Sequence, residues 1–378
     1  MNGIYFTTMC NIQDPSDNDN LGIKEKIRAQ IDLFQNAGFG MYFFYGHKER
    51  PLYRYVNRMP FFRDKYDLSD DVISSSDFIY LRKPSAINMG FIDLLKKIRS
   101  VNPMMKILLE IPTYPYENEI RGLIRVTLKW KDRYARKKLK DYVDVILTYS
   151  DDKKIFGIKT INISNGVDAV KLSEAVEKYP HPDDGKLRFI ACAKFNLWHG
   201  YDRAIEGLHQ YLSEPDADKN IELEMVGDGT LVDTYKQLVE KYSLQDFVKF
   251  HGKLQGEKLS KVYSKCDIGL DSMGRHRSGV YYNSSLKGKE YCAYGLLIVS
   301  GVETELDHAD DFGYYYRIPA DDTPVDFAKV MEFYKSKTAA NRSAVRRQIS
   351  EYAIKHFSMD VVFKPVIDYI RGSKEALK

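Results

Sequence analysis

Short apolar runs of strand length alternate along this chain with longer stretches in which apolar residues recur every three or four positions. That alternation is the mark of strands separated by amphipathic helices. Residues 3–9 predict a buried first strand. Ile23, Ile27, Ile31 and Phe34 predict a helix that Gly38 stops, and Met41–Tyr45 predicts the next strand. Further strands are predicted at 78–81, 106–111, 144–149 and 160–164, with a helix over 91–98. Five more strands follow at 187–193, 221–226, 248–251, 267–270 and 296–299. The helices between them cover 200–212, 231–242 and 256–265.

Two such series predict an α/β protein with two doubly wound, Rossmann-like sheets. The polar stretch Lys171–Gly185, with Pro180, Pro182 and Gly185, is expected to be a linker. The division is therefore 1–168, a linker at 169–185, and 186–358. A last helix, about 359–378, has Pro365 as its expected kink.

One stretch stands out chemically. Ser284 and Ser285 open a predicted helix, Glu290 lies in its second turn, Gly295 ends it, and a buried strand follows. Open N–H groups at such a helix start make an anion site. A carboxylate just inside can accept hydrogen bonds from a sugar diol. An ordinary helix-strand unit has the same pattern. Gly22 opens the first helix of the N-terminal half, but no GxGxxG occurs, which weighs against a nicotinamide dehydrogenase. Arg82, Glu110 and Tyr114 sit at the carboxyl ends of predicted strands, where ligands bind in open parallel sheets. Glu110 either faces a ligand or pairs with a nearby arginine. Asp17-Asn18-Asp19 reads as a metal-type acidic pair or as helix caps, the latter being ordinary for Asp and Asn.

Composition adds bounds. At 378 residues, 44% apolar and 29% charged, the chain can fill two cores. The four cysteines, Cys10, Cys192, Cys266 and Cys292, form no CxxC pair, so no zinc or disulfide framework is indicated. No signal peptide or membrane-spanning run is read, and a cytoplasmic protein is expected. The net charge of +4 is far from nucleic-acid levels, but nine Lys/Arg and a single acid, Asp132, fall between Arg121 and Lys140. Leu123, Ile124, Leu128, Trp130 and Tyr134 interleave with them. The segment fits an anionic membrane surface or a solvated helix face.

An ordered set of markers gives a resemblance: Asn165-Gly166-Val167-Asp168, Lys194, Trp198-His199-Gly200, Val226-Gly227-Asp228-Gly229, Phe250-His251-Gly252 and Glu290-Tyr291-Cys292-Ala293-Tyr294-Gly295. The set resembles the retaining family-4 glycosyltransferases of the GT-B fold. Ala193–Asp202 and Ser285–Gly295 are especially similar to the branch that builds bacterial capsular and exopolysaccharides, and Glu110–Tyr116 fits that branch too. The resemblance is specific over 145–301 and loose before it. It implies two domains facing a cleft, a C-terminal helix crossing back, and a nucleotide-sugar donor, UDP- or GDP-linked. A glycan or lipid-linked glycan is the implied acceptor, with no metal or other cofactor.

By the same resemblance, Lys194 matches the basic residue on the donor diphosphate and Glu290 the residue on the ribose. Ser285 and Leu286 match the positions whose N–H groups meet the phosphates, and Lys253 and Leu254 the loop against the base. Gly22, Arg82, Glu110 and Tyr114 are the acceptor-side candidates. Two departures stand out: Tyr282 replaces the first glutamate of the Glu-x7-Glu motif, and His199 falls where a second phosphate-binding lysine is expected. Arg275, Arg277 or Lys287 could compensate, with Arg277 preferred. The implied function is transfer of a sugar from a nucleotide donor to a surface glycan. The alternative is a degenerate subunit that binds nucleotide or glycan and supports a partner enzyme.

Overall fold

The computed structural model describes residues 1–14, 21–46, 63–117, 125–182 and 184–372. Asp17-Asn18-Asp19 and residues 121–124 lie outside the described residues. The chain divides into two compact units, Met1–Ser164 with Phe363–Lys378, and Asn165–Val362.

The first unit is a seven-stranded sheet. Its strands are β1 (Asn2–Thr7), β2 (Gly40–Tyr45), β3 (Phe78–Arg82), β4 (Lys106–Ile111), β5 (Val145–Thr148), β6 (Lys154–Ile155) and β7 (Ile158–Asn162), in the order β2-β1-β3-β4-β5-β7-β6. All pairs are parallel except β6–β7, a short hairpin absent from the sequence reading. Near-continuous burial of β1, β3, β4 and β5 is what helices on both faces of a parallel sheet require. The helix Leu21–Asn36 puts Ile27, Ile31 and Phe34 into that core, and Gly38 follows it at φ +84°.

The second unit is a wholly parallel six-stranded sheet of β8 (Leu187–Cys192), β9 (Ile221–Val226), β10 (Val248–Gly252), β11 (Ile268–Leu270), β12 (Leu297–Ser300) and β13 (Tyr315–Arg317). Its order is β10-β9-β8-β11-β12-β13. This is the doubly wound arrangement, with strand order reversing between β8 and β11. The sixth strand, β13, and the helices Phe327–Thr338 and Arg342–Phe357 add to the five strands and intervening helices expected for this half.

The expected linker is corrected. Residues Ala169–Lys178 are a helix of the second unit, capped by the Asp168 side chain at the Lys171 N–H. Its polar residues hid a stripe of Ala169, Leu172, Ala175 and Val176, which packs into the core. The unit boundary accordingly falls at Ser164 rather than beyond 168. Pro365 lies inside the helix Met359–Arg371, and the boundary between the units crosses that helix after Val362. Among the described residues, no helix is long and apolar enough to cross a membrane.

Candidate active site

In a doubly wound sheet the ligand crevice opens at the carboxyl ends of the strands, where the order reverses. In the second unit that point lies between β8 and β11. Lys194, exposed, follows β8, and Asp271 and Ser272, both buried, follow β11. Lys253, exposed, and half-buried Leu254 follow β10 on the same sheet edge. The Lys194 loop is held tightly. Gly227, at φ +135°, lies so close beneath it that a Cβ there would stand 1.8 Å from the Ala193 carbonyl oxygen. The Ala193 N–H donates to Val226 O at 3.0 Å and the Phe195 N–H to Asp228 O at 2.5 Å. The glycine at 227 thus lets one loop brace the next.

The helix Leu286–Ala293 begins at the same edge. Ser285 is its N-cap, accepting from the Gly288 N–H at 3.3 Å and donating to Asp271 Oδ1 at 2.8 Å. The first N–H groups of a helix have no partner within it, so the start at Ser285–Leu286 is an anion-accepting end. Lys287 adds a full positive charge, with Nζ 3.1 Å from Ser272 Oγ and 3.3 Å from Asp271 Oδ1. Lys289 turns the other way: buried, it pairs with Glu305 and lies over the Phe357 ring at 4.3 Å. Asp271 and Ser272 escaped the sequence reading. Their signal was their place just past the end of a predicted strand.

Glu290 is half-buried one turn inside the helix, and the Tyr263 hydroxyl donates to its Oε2 at 3.4 Å. Tyr263 is itself fixed by stacking on Tyr294, rings 4.4 Å apart. Glu290 and Lys287 lie close enough to Cys192, at the end of β8, for both charges to act on its thiol, which burial pushes up to about 11. The structure therefore brings Glu290, Lys287, Ser285 and the end of β8 together.

His199 is buried, and its charge state differs from the expected weak cation. Burial, with the positive charges of Lys287 and Arg275, pushes its pKa down to about 2, so the ring is neutral. The Asn196 N–H donates to Nδ1 at 3.1 Å, which assigns the ring hydrogen to Nε2. His199 can offer one N–H but no charge. Arg277 is likewise committed elsewhere. Its Nη1 and Nη2 hold Asp202 at 2.9 and 2.7 Å, and its Nε holds Asp322 at 2.6 Å. In this arrangement two carboxylates answer its charge, which leaves Lys287 as the better-placed cation at the helix start. Tyr282 bridges in parallel to Glu303.

In the first unit, Glu110 is at 0% exposure beside Arg82, its register partner across β3–β4. The Tyr149 hydroxyl donates to its Oε1 at 2.8 Å and the Tyr80 hydroxyl to its Oε2 at 2.9 Å. Arg82 Nη1 lies 3.2 Å and Lys26 Nζ 3.6 Å from Oε1. Burial raises the carboxyl's pKa, but Arg82, Lys26 and the two hydroxyls outweigh it and hold the group below its ordinary value. Of the two readings of Glu110, the structure gives the pairing. Tyr114 packs edge-on against Phe156 at 5.9 Å, and Gly22 lies in the first turn of the helix Leu21–Asn36. Among the described residues, no group of three or more His, Cys, Asp or Glu side chains is arranged to hold a metal.

Residues 174–271 match the family model described as glycosyl transferases group 1. The chain also superposes on solved structures over nearly its whole length. A glycosyltransferase from Rickettsia africae aligns with TM-score 0.58 and 12% identity over 99% of each chain. Anabaena HepE in complex with UDP gives 0.61 and 12% over 98% of this chain and 100% of that one. Sucrose-phosphate synthase from Thermosynechococcus elongatus gives 0.63 and 14% over 98% of each. The fold is GT-B. No curated protein matches the chain. The family match spans Lys194, His199, Lys253 and Leu254 and stops at Asp271, before the helix start. Fold and matched segment together support glycosyl transfer as the chemistry of this chain.

Proposed function

We propose that this protein is a retaining glycosyltransferase that moves a sugar from a nucleoside diphosphate donor to a glycan acceptor carried on a lipid, in cytoplasmic synthesis of a surface polysaccharide. The observation that carries the reading is that the Ser285–Leu286 helix start, Lys287, Glu290 and the end of β8, which Lys194 follows, come together at the strand-order reversal of the second sheet. HepE is described in complex with UDP and with UDP-glucose, which favours a UDP-linked donor here over a GDP-linked one.

In this reading the helix start, Lys194 and Lys287 receive the diphosphate, and Glu290, steadied by Tyr263, accepts hydrogen bonds from the ribose hydroxyls. As the acceptor hydroxyl attacks the anomeric carbon, the bond from that carbon to the diphosphate oxygen breaks and its electron pair stays with the oxygen. Attack from the same face lets that oxygen take the acceptor's proton, with retention at the sugar. Removing one preorganised donor to the developing negative charge costs about 10²–10³ in rate. Glu110, wholly buried, is a positioning residue that orders Arg82, Tyr149 and Lys26 in the acceptor-side unit; Tyr114 and the Gly22 turn are the acceptor contacts of this reading.

The test is a thermal-shift panel of nucleoside diphosphates and their sugars, then turnover with the stabilising donor. A ligand at about 100 times its Kd stabilises by about 2.7 kcal/mol, so the right donor stands out. Turnover lost in Glu290→Ala and Lys194→Ala supports the proposal, and a panel with no stabilising nucleotide overturns it. The neutral His199 and Tyr282 favour a second reading, a binding subunit without chemistry. Donor binding with no turnover under any acceptor selects it.

A further inference from the structure

The helix Arg125–Arg136 is turned inside out relative to an ordinary surface helix. Val126, Trp130 and Tyr134, spaced four apart, point to solvent at 72%, 60% and 53% exposure. The face toward the core instead carries Lys131, Asp132 and Ala135, all buried. Asp132 explains that inversion. It accepts from the Ile87 N–H at 2.8 Å and from the Tyr116 hydroxyl at 2.9 Å, and so anchors the helix through a polar group. The outward stripe is set among cations. Lys129 and Arg133 share its face, and Lys137, Lys138 and Lys140 continue just past the helix end. Lys138 Nζ lies over the Tyr134 ring at 5.7 Å. Glu117 lies 3.3 Å from Arg133 and 2.6 Å from Arg136. Eight Lys/Arg against one acid fall between Arg125 and Lys140.

We infer that this face docks on an anionic lipid surface, with Trp130, Tyr134 and Val126 set into the headgroup boundary and the surrounding lysines and arginines against lipid phosphates. Apolar stripes rimmed by cations bind at that depth, tryptophan and tyrosine prefer it, and basic residues are drawn to an anionic leaflet. The core of a protein interface is depleted of charge, whereas here cations interleave with the rings. Trp130 and Tyr134 stack on each other with centroids 6.1 Å apart and planes 12° off parallel, which makes one continuous aromatic surface on the outward face. The inference deepens the proposed function by naming the surface on which a lipid-carried acceptor is met.

The experiment is flotation of the full chain, without nucleotide, on phosphatidylcholine vesicles with about a third phosphatidylglycerol, and on phosphatidylcholine alone. Parent protein is expected on the anionic vesicles only. The partition coefficient should fall about tenfold or more in Trp130→Ser/Tyr134→Ser and in Lys129→Glu/Arg133→Glu. Trp198→Phe leaves Trp130 as the one tryptophan of the two, and its emission should shift to the blue on anionic vesicles and be quenched by brominated lipid, a readout that needs no surface variant. No flotation of the parent, equal flotation of parent and variants, equal binding to neutral vesicles, or binding of single-stranded RNA that vesicles do not compete would each overturn the inference. Donor binding measured on the same preparations keeps this outcome separate from that of the proposed function.

Discussion

Lys287 Nζ sits 3.3 Å from a carboxylate oxygen of Asp271, a residue with no solvent exposure that also takes the Ser285 hydroxyl. The cation at the helix start is therefore already answered by an acid beneath it. In the proposed function an incoming diphosphate shares Lys287 with Asp271 rather than meeting an isolated charge. Lys287→Met should weaken binding of the stabilising nucleoside diphosphate by about tenfold, the scale of one charge-assisted contact. Asp271→Asn keeps an acceptor for Ser285 and removes a negative charge near the phosphates, so affinity should hold or rise. Titration calorimetry on the two variants checks the order.

The proposed function puts Glu290 on the ribose, and that role can be separated from general damage. Glu290→Ala should weaken the ribonucleotide by about 1.5–3 kcal/mol, the range for a hydrogen bond to a charged group. The penalty should shrink with the 2′-deoxy diphosphate, because the lost partner is then missing from both sides of the cycle. An equal penalty for both nucleotides would remove the ribose role.

The buried centre around Glu110 sets an acid limit for the first unit. Its folded-state pKa lies below the ordinary 4.5. Its stabilising contribution is therefore full above about pH 4.5 and is lost as pH falls through the folded value, where the native carboxylate protonates. Glu110→Gln should cost about 3–5 kcal/mol at neutral pH, because Arg82 and Lys26 lose their buried partner. It should also flatten the fall in stability below pH 4.5. Urea unfolding of parent and variant across that window measures both effects.

Gly227 should tolerate no side chain. At φ +135° and with a Cβ position 1.8 Å from Ala193 O, Gly227→Ala must move the Lys194 loop or unfold it. A loss above about 1 kcal/mol is expected from the backbone alone, accompanied by weaker donor binding. Gly185→Ala, also at positive φ but with open space around it, should show only the backbone cost. Thermal melts and nucleotide titration of the pair separate contact from conformation.

Local chemistry made much of this legible from the amino acids. The helix start at Ser285 and the stop at Gly295, found at φ +70°, follow from capping and from glycine's freedom, both properties of a few adjacent residues. Strands 106–111 and 221–226 fall where the apolar runs put them. Where local signals compete, composition misleads. Lys171, Glu174, Glu177 and Lys178 made 169–178 look like linker, although four apolar residues at helical spacing sufficed to pack it.

The two α/β series are written in the order of the amino acids, because periodicity needs only near neighbours. What each charge does depends on the folded chain. Arg277 answers Asp202, 75 residues away, Glu110 answers Arg82 through the β3–β4 register, and His199 is neutral because the fold buries it beside two cations. The direction of the Trp130 stripe belongs to the same class. A period of four says that a face exists, and only packing around Asp132 says that this one looks outward. Charge state and orientation depend on what surrounds a side chain, and residues distant along the chain supply those surroundings.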